Sequence, residues 1–163
     1  MFGQTNRLPF VNSVKLPNYF TVSADFASAT WNTVASHEVA TVTGLVHMII
    51  LPQCTETLTD AADLATIQLG VEGSTAALIA ATSAAGLAAS TISATELWVD
   101  ATPADLVATR SQFNALDFFV GSGLDVGYEI GGQALTDGTI VFHIWWEAID
   151  STGAVTAGAG GSL

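Results

Sequence analysis

The sequence predicts an all-β chain built as an antiparallel sandwich or barrel. Three observations carry that reading. Short runs rich in β-branched and aromatic residues recur along the chain, about eight or nine of them, each closed by Gly, Pro or Asp. Glycine occurs 15 times in 163 residues, enough for many tight turns. There is no strand–helix–strand rhythm, no heptad and no solenoid period, so a parallel sheet or a helical bundle is not indicated.

Taken in order, residues 1–20 read as an extended N-terminal arm. Pro9 and Pro17 each bias the residue before them toward extended geometry. Phe2, Leu8, Phe10, Val14, Leu16, Tyr19 and Phe20 make the arm too apolar to hang free. Arg7 and Lys15 also lie here, in an otherwise acidic chain, which suits an arm laid on its own domain or on an acidic neighbour. The arm lacks the continuous apolar stretch of a secretory signal.

Residues 21–150 read as the sandwich domain. Val22, Ala24, Phe26 and Ala29 loosely mark one face of a first strand. Residues 37–52 form a strong strand signal, with Gly44 as a bulge or bend and Pro52 as its end. Leu64, Ile67 and Leu69 suggest another strand. Residues 76–89 are alanine-rich and are the one place where a helix is expected, stopped by Gly86. Strand text returns at 95–100, at Phe113 to Val120 and at 125–132. Asp137-Gly138 carries the chemistry of a hairpin turn before the longest strand candidate, IVFHIWWEAI at 140–149. Residues 151–163, GAVTAGAGGSL at their end, read as a small-residue tail, frayed or thinly packed.

Charge narrows the possible roles. Only 11% of residues are charged, and Arg7, Lys15 and Arg110 stand against fifteen carboxylates, for a net charge of -12. Such a surface repels phosphate backbones and anionic lipid, so direct nucleic-acid or membrane binding is not expected. LVHMIIL at 45–51 is too short to span a bilayer and stops at Pro52. Cys54 is the single cysteine, with no base near it in sequence, and reads as a small apolar filler.

The strip at 140–149 raises the question of chemistry. On a strand, Val141, His143, Trp145 and Glu147 share one face, and Phe142, Ile144, Trp146 and Ala148 share the other. The second face is the core side. The first is semi-apolar, so it meets an arm, a loop or another subunit. His143 and Glu147 lie about 13 Å apart along a strand, too far to hold one metal ion. His37, His47 and His143 would serve a metal only if the fold gathered them, and no pair of histidines one residue apart is present. The glycine-flanked Ser122 is followed by strand text, not by the helix a nucleophile elbow needs. Asp60 with Asp63, and Asp100 with Asp105, offer loop acids for calcium but lack EF-hand spacing. Trp31, Trp98, Trp145, Trp146, Tyr19 and Tyr128 would make a sugar platform if several were exposed together. No enzyme activity and no cofactor is expected.

TVTGLVHMIILPQCTETLTDAADLATIQLGVEGSTAALIAATSAAGL, the later ELWVDATPAD and the closing DVGYEIGGQALTDGTIVFHIWWEAI resemble small structural proteins of tailed bacteriophages. The resemblance spans roughly residues 37–149 in texture and phrase order and transfers no active-site residue. It implies a jelly-roll-like β-sandwich acting as a capsid decoration or cement protein on the virion, made in the host cytoplasm. Its implied partners are the major capsid protein or other virion proteins and further copies of itself, a trimer before a dimer. A tail or baseplate accessory protein and a carbohydrate-binding sandwich module are the alternatives. Exposed aromatic clusters would favour the sugar module. On this reading the interface residues are Arg7, Phe10, Lys15, Tyr19 and Phe20 in the arm, with Trp145 on the last strand: large apolar anchors and the scarce bases.

Overall fold

A computed structural model of the chain describes residues 18–84, 87, 99–100, 116–121 and 123–163. The architecture is all-β: two antiparallel sheets packed against each other as a sandwich. The strands are β1 (Asn18–Asp25), β2 (Ser36–Thr43), β3 (Val46–Asp60), β4 (Thr66–Val71), β5 (Ser74–Ser83), β6 (Val99–Asp100), β7 (Asp117–Val120), β8 (Val126–Gly131), β9 (Leu135–Ala148) and β10 (Ala154–Ala157). The first sheet runs β1-β9-β3, with β7 and β6 both along the far edge of β3. The second runs β10-β2-β8-β4-β5. All pairings are antiparallel except that of the two-residue β6 with β3.

The core forms because alternation points one residue in two inward. From the first sheet come Val22, Ala24, Val46, Met48, Ile50, Cys54, Ile140, Phe142 and Ile144; from the second, Val39, Val42, Ile67, Leu69, Val126, Tyr128 and Ile130. Tyr128 sits at its centre, fully buried. Its ring stacks on Phe142 at 5.7 Å and on His37 at 5.1 Å and meets Phe26 edge-on. Its hydroxyl donates to the Trp31 carbonyl at 2.6 Å, so the phenol is buried with its polar end satisfied.

Five local expectations are corrected here. Residues 76–83 are not helical. They lie in β5, an edge strand paired to β4, where sheet pairing overrides the propensity of alanine; residues 85–86 and 88–89 lie outside the described residues. Pro52 does not end its strand. It pairs with Phe142 inside β3, in the gap between the part of β3 that meets β7 and the part that meets β6, so its missing N–H removes no ladder bond from those neighbours.

Asp137-Gly138 is not a hairpin turn. It lies within β9, where the register with β3 shifts between Glu56 and Thr59. Gly138 has φ +108°, and a Cβ there would stand 2.6 Å from the Thr57 carbonyl oxygen, so the bulge requires glycine. The C-terminal tail is not frayed. Ala154–Ala157 is an edge strand on β2 with Val155 buried, and the ladder continues through Gly158 N–H to the Val39 carbonyl and Gly160 N–H to the Glu38 carbonyl. Gly160 is tucked against the Trp31 ring, where a Cβ would meet ring carbon at 2.9 Å, and that close approach is why the tail is made of small residues. The last three residues of the expected arm, Asn18 to Phe20, open β1 as paired strand.

Gly44 does mark the bend expected of it. The run at 37–52 breaks there as the chain crosses from β2 in one sheet to β3 in the other, and Asp150 holds the crossing by accepting the Leu45 N–H at 2.9 Å.

Candidate functional site

Strand pairing in the first sheet lines up four rows of side chains on the face turned away from the core. One row is Asp117, Ile49, Trp145 and Tyr19, and the next is Phe119, His47 and Glu147. Leu51, His143 and Thr21 form the third, and Gln53, Val141 and Ser23 the fourth. Solvent faces of antiparallel sheets ordinarily carry polar residues. Here Phe119 is 66% exposed and Tyr19 53%, while Ile49, Leu51, Val141 and Trp145 are half-buried with nothing described above them.

The aromatic groups are arranged. Tyr19 and Trp145 are 5.0 Å apart between ring centres, and His143 stacks alongside both at 6.2 and 6.1 Å. His143 is oriented from two sides. Gln53 presents its carbonyl oxygen to Nε2 at 2.9 Å, so Nε2 carries the proton and Nδ1 accepts from the Tyr19 hydroxyl at 2.8 Å. Burial holds the pKa of this ring below the ordinary histidine value, in keeping with a neutral imidazole.

His47 is the second fixed ring. Its Nε2 lies 2.5 Å from Asp117 Oδ1 and its Nδ1 3.1 Å from Glu147 Oε1, while Phe119 stacks over it at 4.8 Å. Burial works against charge on this ring, but the hydrogen bonds it donates to Asp117 and Glu147, with their negative charge, prevail and raise its pKa.

The interface residues predicted from sequence divide three ways. Tyr19 and Trp145 come together on this outer face. Phe20 is on the opposite side of β1, half-buried against the core. Arg7, Phe10 and Lys15 lie outside the described residues, and so does Arg110. The described chain begins at Asn18, which pairs with Trp146, one residue from Glu147 at the end of this same face. Of the other aromatic candidates, Tyr128 is wholly in the core, Trp31 and Trp146 pack partly against it, and Trp98 lies outside the described residues.

The three histidines do not converge. His37 is buried in the core against Tyr128, its Nε2 2.9 Å from the Thr33 carbonyl, whereas His47 and His143 are on the outer face. Among the described residues, no three His, Cys, Asp or Glu side chains are placed to hold a metal ion together. Asp60 spends its carboxylate on the backbone N–H groups of Asp63 (2.6 Å), Leu64 (2.8 Å) and Ala65, which makes it a loop cap. Cys54 is buried, its thiol directed at the Glu56 and Leu87 carbonyls.

The chain matches no family model, no curated protein and no solved structure.

The site therefore stands on geometry alone. Sequence reading singled out the mixed face of β9, and with it Tyr19 and Trp145, which the fold brings together on this face. It missed Phe119, Ile49 and the His47 cluster, whose members come from β3, β7 and β9. Among the described residues, no helix is long and apolar enough to cross a membrane.

Proposed function

We propose that the protein is a non-enzymatic virion structural protein, a capsid decoration protein that binds the major capsid protein or another virion protein through the outer face of its first sheet. The observation that supports this is the exposed apolar and aromatic surface of that face, centred on Tyr19, Trp145, Ile49 and Phe119. Contiguous apolar surface of this kind marks a place where a protein meets a partner. Both histidines of the face are engaged by neighbouring side chains, an arrangement that orients rings for contact.

On this reading the protein does no chemistry. Binding that favours the assembled shell adds to shell stability by mass action, and many copies acting together need only modest affinity each. The resemblance to small phage structural proteins supports the virion assignment and favours a homotrimer, since capsid lattices offer three-fold positions. The described chain begins at Asn18, beside this face, and the preceding residues, with Arg7, Phe10 and Lys15, would extend the contact.

The test is a titration of purified protein against empty shells at low and moderate salt. Two acidic surfaces repel, and salt screens that repulsion, so apolar binding should hold or strengthen as salt rises. Sharp loss of binding with salt would contradict apolar docking and point to Arg7, Lys15 and Arg110 as ion-pair anchors.

A second reading has its own support. Tyr19 and Trp145, adjacent and accessible beside Gln53 and His143, are the pairing of rings and hydrogen-bonding groups a carbohydrate-binding module uses. Retention on a polysaccharide column with no binding to shells would establish it over the first.

A further inference from the structure

His47 is placed between two carboxylates on two different strands. Asp117 on β7 faces its Nε2 and Glu147 on β9 faces its Nδ1. A carboxylate oxygen accepts hydrogen bonds and donates none, so each contact requires a proton on the ring nitrogen. A neutral imidazole carries only one. It would leave the other contact as lone pair against lone pair, at 2.5 or 3.1 Å. The imidazolium alone satisfies both.

Among the described residues, Asp117 and Glu147 are the charged groups that face this ring, one from each strand flanking β3. Ile49 and Leu51, the neighbours on the same side of β3, are uncharged, as is Leu45 before the strand, and Phe119 covers the ring. β7 is four residues long and, among the described residues, pairs with β3 alone. Phe118 and Val120 tie its inner face to the core, and its side-chain tie on the outer face is this cluster.

We propose that His47 acts as a proton-dependent clip: the doubly protonated ring ties β7 to β3 and β9 on the outer face and holds Phe119 in the docking face, and loss of one proton removes that tie, so that β7 opens more readily and the face loosens. The raised pKa sets the window. Stabilisation from such a group is complete below the ordinary histidine value of about 6.5 and disappears as pH rises through the folded-state value. The clip stands on the geometry of the cluster, whereas its effect on docking rests on the function proposed above.

The test uses the full chain with 15N-labelled histidine. Nuclear magnetic resonance should show His47 with both ring nitrogens protonated at pH 6 and a single titration midpoint above that of an unperturbed histidine. Hydrogen exchange at the β7 amides that bond to β3, corrected for the intrinsic effect of pH, should accelerate through the same midpoint. Linkage fixes the size: each pH unit by which the midpoint exceeds that of the ring with β7 open, where Glu147 still faces it, corresponds to about a tenfold change in the opening of β7 between the two protonation states. Asp117→Asn should lower the midpoint more than Glu147→Gln, because the Asp117 contact is the shorter. Both variants keep a hydrogen-bonding side chain, and circular dichroism checks that each remains β-rich.

A singly protonated ring at pH 6, a midpoint at or below the ordinary value, or β7 exchange indifferent to the titration would overturn the clip. Shell binding across the same pH range separates the two claims. Faster opening of β7 while binding holds constant leaves the clip standing and removes this face as the docking surface.

Discussion

Replacing Phe119 with alanine separates docking from folding. The ring is 66% exposed in the isolated chain. An aromatic side chain presents about 200 Å² in all, so about 130 Å² remains to be covered by a partner. At about 25 cal/mol per Å² that is about 3 kcal/mol, or about a hundredfold in Kd. This is an upper figure, since ordering the ring on docking subtracts from it. What the ring contributes to folding is mainly its stack on His47, about 0.5–1.5 kcal/mol. For a chain of this size that is a fall in Tm of a few degrees. The assay pairs co-sedimentation with empty shells and a thermal melt. Leu64, 64% exposed but outside this face, is the matched control, and Leu64→Ala should change neither reading. A Phe119→Ala variant that binds within about threefold of the parent would refute the reasoning, given that tenfold corresponds to about 1.4 kcal/mol. So would a large loss of Tm, which would make Phe119 a folding residue.

Other consequences follow from the same contacts. Tyr128→Phe leaves the Trp31 carbonyl without its buried donor and should destabilise the chain by about 1–3 kcal/mol in urea unfolding, with the β signature intact. Gly138→Ala forces a Cβ at φ +108° toward the Thr57 carbonyl and should lower the urea midpoint by about 1–3 kcal/mol equivalent, whereas Gly73→Ala, where a Cβ meets open space, should lose less. His143 has a depressed pKa, so the unfolded chain takes up its proton first on acidification. Stability from this group is present above about pH 6.5 and is lost as pH falls through the folded value; in urea titrations His143→Gln should flatten that part of the profile.

Alternation made much of the sandwich readable. The two faces of β9 separate in the structure as they do in the text, with Phe142 and Ile144 buried and Val141, His143 and Trp145 turned outward. Errors arose where a residue's local preference met a neighbour distant in sequence. Alanine at 76–83 favours a helix until β4 offers a partner. Asp137-Gly138 has the chemistry of a hairpin turn, but the long partner β3 turns it into a bulge. The glycine-rich end looks loose until Trp31 and β2 receive it.

Half of the candidate site was readable for the same reason. Trp145 and His143 lie on one alternating strand, and Tyr19 stood out as a large anchor in the arm. His47 did not yield its role, because its partners are 70 and 100 positions away on β7 and β9. No periodicity within a strand encodes which carboxylates will stand on either side of it. Phe119 was hidden by the brevity of β7, four residues in which Phe118 and Phe119 point to opposite faces.

The most direct measurement of the docking claim is a hydrogen-exchange footprint of the protein on assembled empty shells, compared with the free protein. Docking through the first sheet should slow exchange along β1, β7 and β9, around Tyr19, Phe119 and residues 141–147, and leave the Gln68, Thr75 and Glu129 cluster of the second sheet unchanged. Protection confined to the second sheet, or no protection at saturating shell concentration, would contradict it.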